Sequence, residues 1–168
     1  IAVDARLRTS NRRIYAVGDC TGGPMFTHVA GYHGSIVVRN AIFRLPAKVD
    51  LRALPWTTFT APELAQVGLT ERAAKEQGVA VEVLRWAYGE NDRAQAERAT
   101  DGFVKLLADR RGRVVGATIV GAHAGELAQF WALAIGQRIR LSAIAGMIAP
   151  YPTLGEVGKR AAGSYFTE

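Results

Sequence analysis

Apolar and polar residues alternate with the period of β-strands along much of the chain after residue 55. Two apolar runs, residues 103–108 and 114–120, flank a charged turn and predict a hairpin. Residues 56–60 and 79–88 are rich in β-branched and aromatic side chains and predict two further strands. Strands connected by hairpins pair antiparallel, so we expect a mainly antiparallel sheet.

Helical periodicity and capping residues predict helices beside this sheet. Thr70 is placed to cap one helix and Ser142 to cap another. Residues 90–99 are polar and fit either a short helix or an extended loop. A long amphipathic helix is predicted over residues 125–139, and a final helix over about residues 153–163. Because the helices gather late in the chain, the pattern favours an α+β fold over a doubly wound parallel sheet.

The first part of the chain is organised differently. Residues 12–19 form a short apolar pattern that ends in Gly-Asp and predicts a strand. A turn containing glycine and proline follows, and residues 27–43 predict a helix. A proline near each end marks residues 46–55 as a linker. We therefore expect a piece of one domain over residues 1–45 and a second domain over residues 56–168.

Composition narrows the class of protein. The chain has 168 residues, 49% of them hydrophobic, which suits one globular domain plus a fragment of another. It has no run of about 18 apolar residues and no signal pattern, so we expect neither a membrane span nor secretion. It does not begin with Met, which suggests that it starts inside a longer protein. The single cysteine, Cys20, excludes an internal disulfide framework and favours a reducing, cytoplasmic location.

The basic charge is a weak indication of an anionic partner. The net charge is +6, which could indicate binding to nucleic acid. The arginines are scattered, however, and no recognition helix, zinc finger or RNA-recognition signature accompanies them. We therefore expect no nucleic-acid partner.

Asp19 is the first candidate for a binding role. It ends the predicted strand in "YAVGD", and α/β proteins hold ligands at the carboxyl ends of such strands. Its carboxylate could accept hydrogen bonds from hydroxyl groups such as those of a ribitol chain. The alternative is that Asp19 only caps a turn.

The following helix begins in "GGPMFTH", which contains Met25, Phe26, Thr27 and His28. The first backbone N–H groups of a helix are unpaired and attract negative charge, such as that at the N1/O2 edge of a reduced flavin. His28 and His33 lie on the same predicted helix, five positions apart. This spacing does not place both side chains on one face, so we expect packed or solvated histidines and no metal site.

The stretch "IAPYPTLGEVGKRAAG" near the end of the chain presents a tyrosine and a carboxylate. Pro150 and Pro152 make the turn rigid and direct Tyr151 outward. Glu156 falls in the first turn of the final helix, where the helix dipole favours a carboxylate. The alternative is that Tyr151 packs and Glu156 caps the helix.

Together these stretches resemble a known family. "TSNRRIYAVGDCTGGPMFTHVAGYHG" resembles the second flavin-binding motif of the FAD-dependent pyridine nucleotide-disulfide oxidoreductases, of the mercuric reductase and dihydrolipoamide dehydrogenase kind. The remainder, from about Leu51, is similar to their C-terminal dimerisation domain. The resemblance implies an enzyme that uses FAD and NAD(P)H, a homodimer, and a small-molecule disulfide, thiol or metal ion as substrate. It also implies that the first dinucleotide fingerprint, the redox-active cysteine pair and the NAD(P)H domain lie before Ile1, so the chain alone is not expected to be active.

The family pattern also implies a role for the late turn. Its disulfide reductases carry a His-Pro-Thr segment with a glutamate that orients the histidine as a base for the partner subunit's site. Here Tyr151 stands at the histidine position and Glu156 is retained. Asp19, Met25, Phe26, Thr27 and His28 are the implied flavin contacts. An alternative left open is a non-catalytic dimerisation module, in which Tyr151 has replaced a lost base.

Overall fold

The computed structural model describes residues 1–167, and its chain divides after Asp50 into two units. The first unit comprises Ile1–Asp50, and the second begins at Leu51. The division falls inside the segment 46–55 that the sequence predicts as a linker. Ala47 is buried in the first unit, where its N–H donates to Leu45, so residues before the division are packed and not extended.

The first unit is built on helix α1, Thr27–Ala41, and a short 3-10 turn, Gly18–Thr21. The strand predicted over residues 12–19 is not formed. An isolated antiparallel bridge joins Arg8 to Tyr15 instead. A strand requires a longer run of paired neighbours, and here the chain leaves the bridge at Gly18, whose φ of 69° turns it into the 3-10 segment.

The second unit contains a five-stranded sheet in which every neighbouring pair is antiparallel. The spatial order of the strands is β1-β2-β5-β4-β3. Their bounds are β1 Pro55–Thr58, β2 Glu63–Gly68, β3 Val81–Ala87, β4 Phe103–Asp109 and β5 Val114–Gly121. The predicted α+β class with a mainly antiparallel sheet is confirmed, and β4 with β5 is the predicted hairpin. Strand β2 was not predicted from the sequence.

Five helices of the second unit accompany the sheet within the described residues. They are α2 Glu71–Glu76, α3 Asp92–Glu97, α4 Ala124–Gly136, α5 Leu141–Gly146 and α6 Glu156–Ser164. Thr70 caps α2 as predicted, because its side chain accepts the N–H of Ala73. The predicted cap of α5 by Ser142 is wrong: Arg140 occupies the N-cap without a side-chain bond, and the helix has already begun at Leu141.

Helices α4 and α6 cover the sheet and form the core with it. Helix α4 packs on β1, β2 and β5, and α6 packs on β3, β4 and α5. Ala128, Trp131 and Ile135 follow the spacing of one helical face, and all three are buried. Burying a large apolar side chain such as that of Ile135 stabilises the fold by about 1.5–3 kcal/mol. In the described part of the chain, no helix combines the length and apolar character needed to cross a bilayer.

Candidate functional site

The turn between α5 and α6, residues 147–155, presents two large side chains to solvent, whereas its Leu154 is buried in the core. Tyr151 is 69% exposed and Ile148 is 99% exposed. The peptide bond between Tyr151 and Pro152 is cis. The predicted outward direction of Tyr151 is therefore confirmed.

The start of α3 holds this turn in place. Asn91 is 4% exposed, and its side-chain amide donates to the carbonyl of Thr153 over 3.0 Å. The oxygen of the same amide, Oδ1, accepts the N–H of Ala94 over 3.0 Å and so caps α3. Asn91 therefore fixes the turn to the helix start with one buried group. The polar segment 90–99, which the sequence left as helix or loop, contains the short helix α3, whose first turn this cap satisfies.

The neighbouring residue, Asp92, bonds directly to the candidate tyrosine. The hydroxyl of Tyr151 donates to Oδ2 of Asp92 over 2.9 Å. This hydrogen bond raises the pKa of the Tyr151 phenol above its ordinary value, and the negative charge of Asp92 adds to the effect. The phenol is thus held in its protonated form at neutral pH and cannot readily act as a base.

Glu156 lies beside this pair without joining it. It is the first residue of α6 and is half-buried, and its negative charge adds a smaller contribution to the raised pKa of Tyr151. The alternative in which the side chain of Glu156 caps the helix is wrong. Gly155 occupies the N-cap, and no side chain caps α6, because Glu156 already lies inside the helix. Its carboxylate is nevertheless placed where the helix dipole favours it.

The first unit places the other candidates around the start of α1. Asp19 is exposed on the 3-10 turn, and this turn packs against α1. Thr21 closes the turn by donating its hydroxyl to the carbonyl of Gly18 over 2.7 Å. Asp19 is therefore presented from a tight turn and not from the end of a strand.

The residues that begin α1 form an open, apolar edge. Phe26 is the N-cap and makes no side-chain cap, so the first N–H groups of α1 are not covered by a capping side chain. The ring of Phe26 stacks on that of His28 with centroids 5.2 Å apart. Met25 is 67% exposed and Thr27 is exposed as the first residue of the helix.

The sequence therefore located two groups of residues and missed the partners that fix them. Asp19 and residues 25–28 lie in the first unit, and Tyr151 with Glu156 lies in the second. Asn91 and Asp92 were not singled out, although an asparagine followed by an aspartate before a helical run is a capping signal that could have found the first. Among residues 1–167, no three His, Cys, Asp or Glu side chains are grouped to hold a metal ion.

A cavity of about 640 Å³ lies elsewhere in the second unit and contains none of the candidate residues. Its lining is mixed, with apolar side chains such as Trp56 and Ile135 and the basic residues Arg113 and Arg138. Size alone therefore does not identify the functional site of this chain.

Comparison with known families gives two matches. The model described as "Pyridine nucleotide-disulphide oxidoreductase, dimerisation domain" matches residues 54–162, and the model described as "Pyridine nucleotide-disulphide oxidoreductase" matches residues 1–34.

Curated relatives have the same two names that the sequence suggested. The chain is 41% identical over 157 residues to a mercuric reductase of Bacillus cereus, covering 93% of this chain and 25% of that protein. It is 39% identical over 163 residues to a dihydrolipoyl dehydrogenase of Bacillus subtilis, covering 96% of this chain and 34% of that protein. The chain thus spans between a quarter and about a third of these relatives.

Solved structures share the fold closely. A crystal structure of LpdA from Mycobacterium tuberculosis superposes with a TM-score of 0.92 at 33% identity, covering 98% of this chain and 36% of that one. A Cu(II) complex of the HOCl-induced flavoprotein disulfide reductase RclA from Escherichia coli gives a TM-score of 0.87 at 27% identity, covering 97% and 37%.

Proposed function

The chain belongs to the pyridine nucleotide-disulphide oxidoreductase family, and we propose on that premise that it forms part of an FAD- and NAD(P)H-dependent oxidoreductase. In this proposal the first unit supplies one edge of the flavin site. The second unit supplies the dimer interface and one edge of the active site. The observation that carries the proposal is that both family models match, in order, over the two units.

The first unit has groups that fit part of a flavin. The exposed carboxylate of Asp19 can accept hydrogen bonds from ribitol hydroxyls. The uncapped start of α1, with Met25, Phe26, Thr27 and His28, offers backbone N–H groups and a positive dipole end to the N1/O2 edge. FAD held there would supply the hydride and electron transfer between NAD(P)H and the substrate. The residues of this chain bind and orient the cofactor.

Exposed apolar side chains in the second unit support a homodimer. Leu133 on α4 is 61% exposed, and Ile148 in the turn before α6 is 99% exposed. Exposed apolar side chains of this size are of the kind that a subunit interface would cover. We propose that the same surface, with Tyr151, faces the flavin site of the partner subunit.

At that site Tyr151 acts as a polar contact and not as a general base. Its hydroxyl proton is directed to Asp92, and its raised pKa keeps that proton in place at neutral pH. The two oxygen lone pairs remain able to accept a hydrogen bond or to contact a thiol or metal-ion substrate. Glu156 adds negative charge near this oxygen. The proposed substrate is a small-molecule disulfide, a thiol or a metal ion, the classes that the names of the relatives indicate. A reducing compartment is also proposed, because Cys20 is an exposed free thiol.

One observation favours a second candidate, a non-catalytic dimerisation module. The hydroxyl of Tyr151 already has a partner within the chain, which is what a purely structural tyrosine would have. In that case the turn would only shape the interface between subunits.

The test uses the full-length protein that carries this chain. We expect the purified protein to show a flavin absorbance spectrum that NAD(P)H bleaches under anaerobic conditions. Asp19→Ala should lose flavin during dialysis, and Asp19→Asn, which keeps an acceptor but not the charge, should lose less. A full-length protein that contains no flavin and gains none from added FAD would overturn the enzyme proposal. Flavin reduction without turnover of any disulfide, thiol or metal acceptor would instead favour the module.

A further inference from the structure

A buried histidine on α1 contacts the turn that carries Asp19. His33 is 4% exposed, and its Nδ1 accepts the backbone N–H of Gly18 over 3.2 Å. Gly18 immediately precedes Asp19 in the chain. The imidazole therefore connects the helix to the residue immediately before the candidate flavin-binding carboxylate.

This contact fixes the form of the ring. Because Nδ1 accepts a hydrogen bond, it must carry a lone pair, and the neutral imidazole then carries its proton on Nε2. Nε2 is buried and has no partner among residues 1–167. A side chain of similar size without nitrogen could fill the space, but it could not accept the Gly18 N–H. Only one nitrogen of this ring, Nδ1, is hydrogen-bonded, and its bond holds the turn.

The turn depends on being held closely against α1. Gly18 has a φ of 69°, and a Cβ built on it would lie 3.0 Å from the Cβ of Ala30 on the helix. Within the turn, Thr21 donates to the Gly18 carbonyl and Cys20 donates to the Val17 carbonyl. These bonds close the turn on itself, whereas the bond to His33 sets its position on the helix.

We propose that His33 is a positioning residue for the cofactor: by accepting the Gly18 N–H it holds the Asp19 carboxylate in place for the ribitol hydroxyls of FAD. The inference rests on the proposed function, since it assumes that Asp19 binds the flavin. His33 acts through Gly18 and Asp19 and needs no contact of its own with the cofactor.

The experiment measures FAD binding by the full-length apoprotein, by fluorescence quenching, in a double-mutant cycle. His33→Phe keeps a planar ring but removes the acceptor, and we expect it to raise the Kd for FAD by about fivefold to tenfold, as the loss of one positioning hydrogen bond would. His33→Asn carries an oxygen near the place of Nδ1 and should restore binding to within about threefold of the unmodified protein. In an Asp19→Ala background, His33→Phe should add little, because its effect passes through Asp19.

The outcomes separate a failure of the proposed function from a failure of the role assigned to His33. If the unmodified protein does not bind FAD, the proposed function fails and this inference fails with it. If it binds FAD and His33→Phe binds equally well, only the role of His33 is overturned. If His33→Phe weakens FAD binding just as strongly in the Asp19→Ala background, or if His33→Asn does not restore binding, the effect reflects general damage to the fold. The role of His33 is then also overturned. His33→Leu replaces His33→Phe in the same cycle if the larger ring prevents folding.

Discussion

The hydroxyl of Tyr151 donates a hydrogen bond to the carboxylate of Asp92, a residue 59 positions earlier in the chain. Both side chains are exposed, yet their contact decides what the tyrosine can do. A general base must give up its proton near the working pH, whereas this phenol is held next to an acceptor and a negative charge. The relationship therefore argues against a general-base role for Tyr151 and supports the proposed contact role.

The pKa of Tyr151 gives the most direct test of this pair. Ionising the phenol would break its bond to Asp92 and place two negative charges together, so the pKa is raised in the folded protein. The bond therefore stabilises the folded state fully below the ordinary tyrosine pKa of about 10, and this contribution is lost as the pH rises through the higher folded value. Asp92→Asn should lower the Tyr151 pKa toward about 10.

The measurement is an ultraviolet titration of phenolate absorbance. Because the chain contains five tyrosines, the signal of Tyr151 is obtained by subtracting the curve of Tyr151→Phe. The same subtraction is made in the Asp92→Asn background. Identical Tyr151 curves in the two backgrounds would contradict the pairing.

Asn91 should stabilise both α3 and the turn that carries Tyr151. Asn91→Ala removes the cap of α3 and the bond to Thr153, and we expect a loss of about 2 kcal/mol in the free energy of unfolding. Asn91→Ser is the matched control, because serine can cap the helix but is too short to reach Thr153. It should recover about half of that loss in urea unfolding. Equal stabilities of the alanine and serine variants would show that the cap contributes nothing.

Two glycines of α6 should respond in opposite ways to alanine. A Cβ on Gly158 would lie 2.5 Å from Cζ2 of the buried Trp131, so Gly158→Ala should cost about 1–3 kcal/mol through overpacking. A Cβ on Gly163 would meet nothing within 4 Å, so Gly163→Ala should leave stability unchanged or raise it by up to about 1 kcal/mol, since alanine favours helix. Thermal unfolding by circular dichroism distinguishes the two. A Gly158→Ala protein as stable as the original would mean that Trp131 can move aside at little cost.

The proposed homodimer should depend on the exposed side chain of Ile148. Ile148→Asp puts a charge on a side chain that is 99% exposed in the single chain but covered in the proposed dimer. We expect the mass from light scattering of the full-length protein to fall to that of one subunit at micromolar concentration. Gln77→Asp, at an exposed position after α2, adds the same charge and should leave the mass unchanged. A dimer that survives Ile148→Asp would place the interface elsewhere.

The fold was predictable where side-chain periodicity reports burial directly, as in the hairpin of β4 and β5. Strand β2 was not, because its buried Gln66 interrupts the apolar pattern. The amide of Gln66 is satisfied by the carbonyls of Val67 and Leu69, and its oxygen accepts the hydroxyl of Thr118 over 2.6 Å. The bond to Thr118 comes from a strand 52 positions away, which no local pattern reveals.

At the candidate site, too, the sequence predicts local features but not long-range contacts. The two prolines predict the exposure of Tyr151 because their effect on the backbone is local. The contact with Asp92 depends on where α3 lies relative to the turn, and this is set by the buried amide of Asn91 bonded to Thr153. The sequence could therefore identify the tyrosine but not the group that determines its chemistry.

Substitution of Tyr151 itself separates the enzyme from the module. Tyr151→Phe keeps the ring and removes the oxygen, so in the full-length enzyme we expect it to reduce turnover with the natural acceptor severalfold while reduction of the flavin by NAD(P)H is unchanged. Tyr151→His introduces the residue type that the family resemblance implies for disulfide reductases at this position. Because Glu156 is retained and a histidine titrates near neutral pH, this variant should gain dithiol–disulfide activity. Stopped-flow absorbance separates flavin reduction from reoxidation by each acceptor. If Tyr151→Phe matches the unmodified protein with every disulfide, thiol and metal ion tried, the tyrosine serves only packing, and the chain is then better described as a dimerisation module.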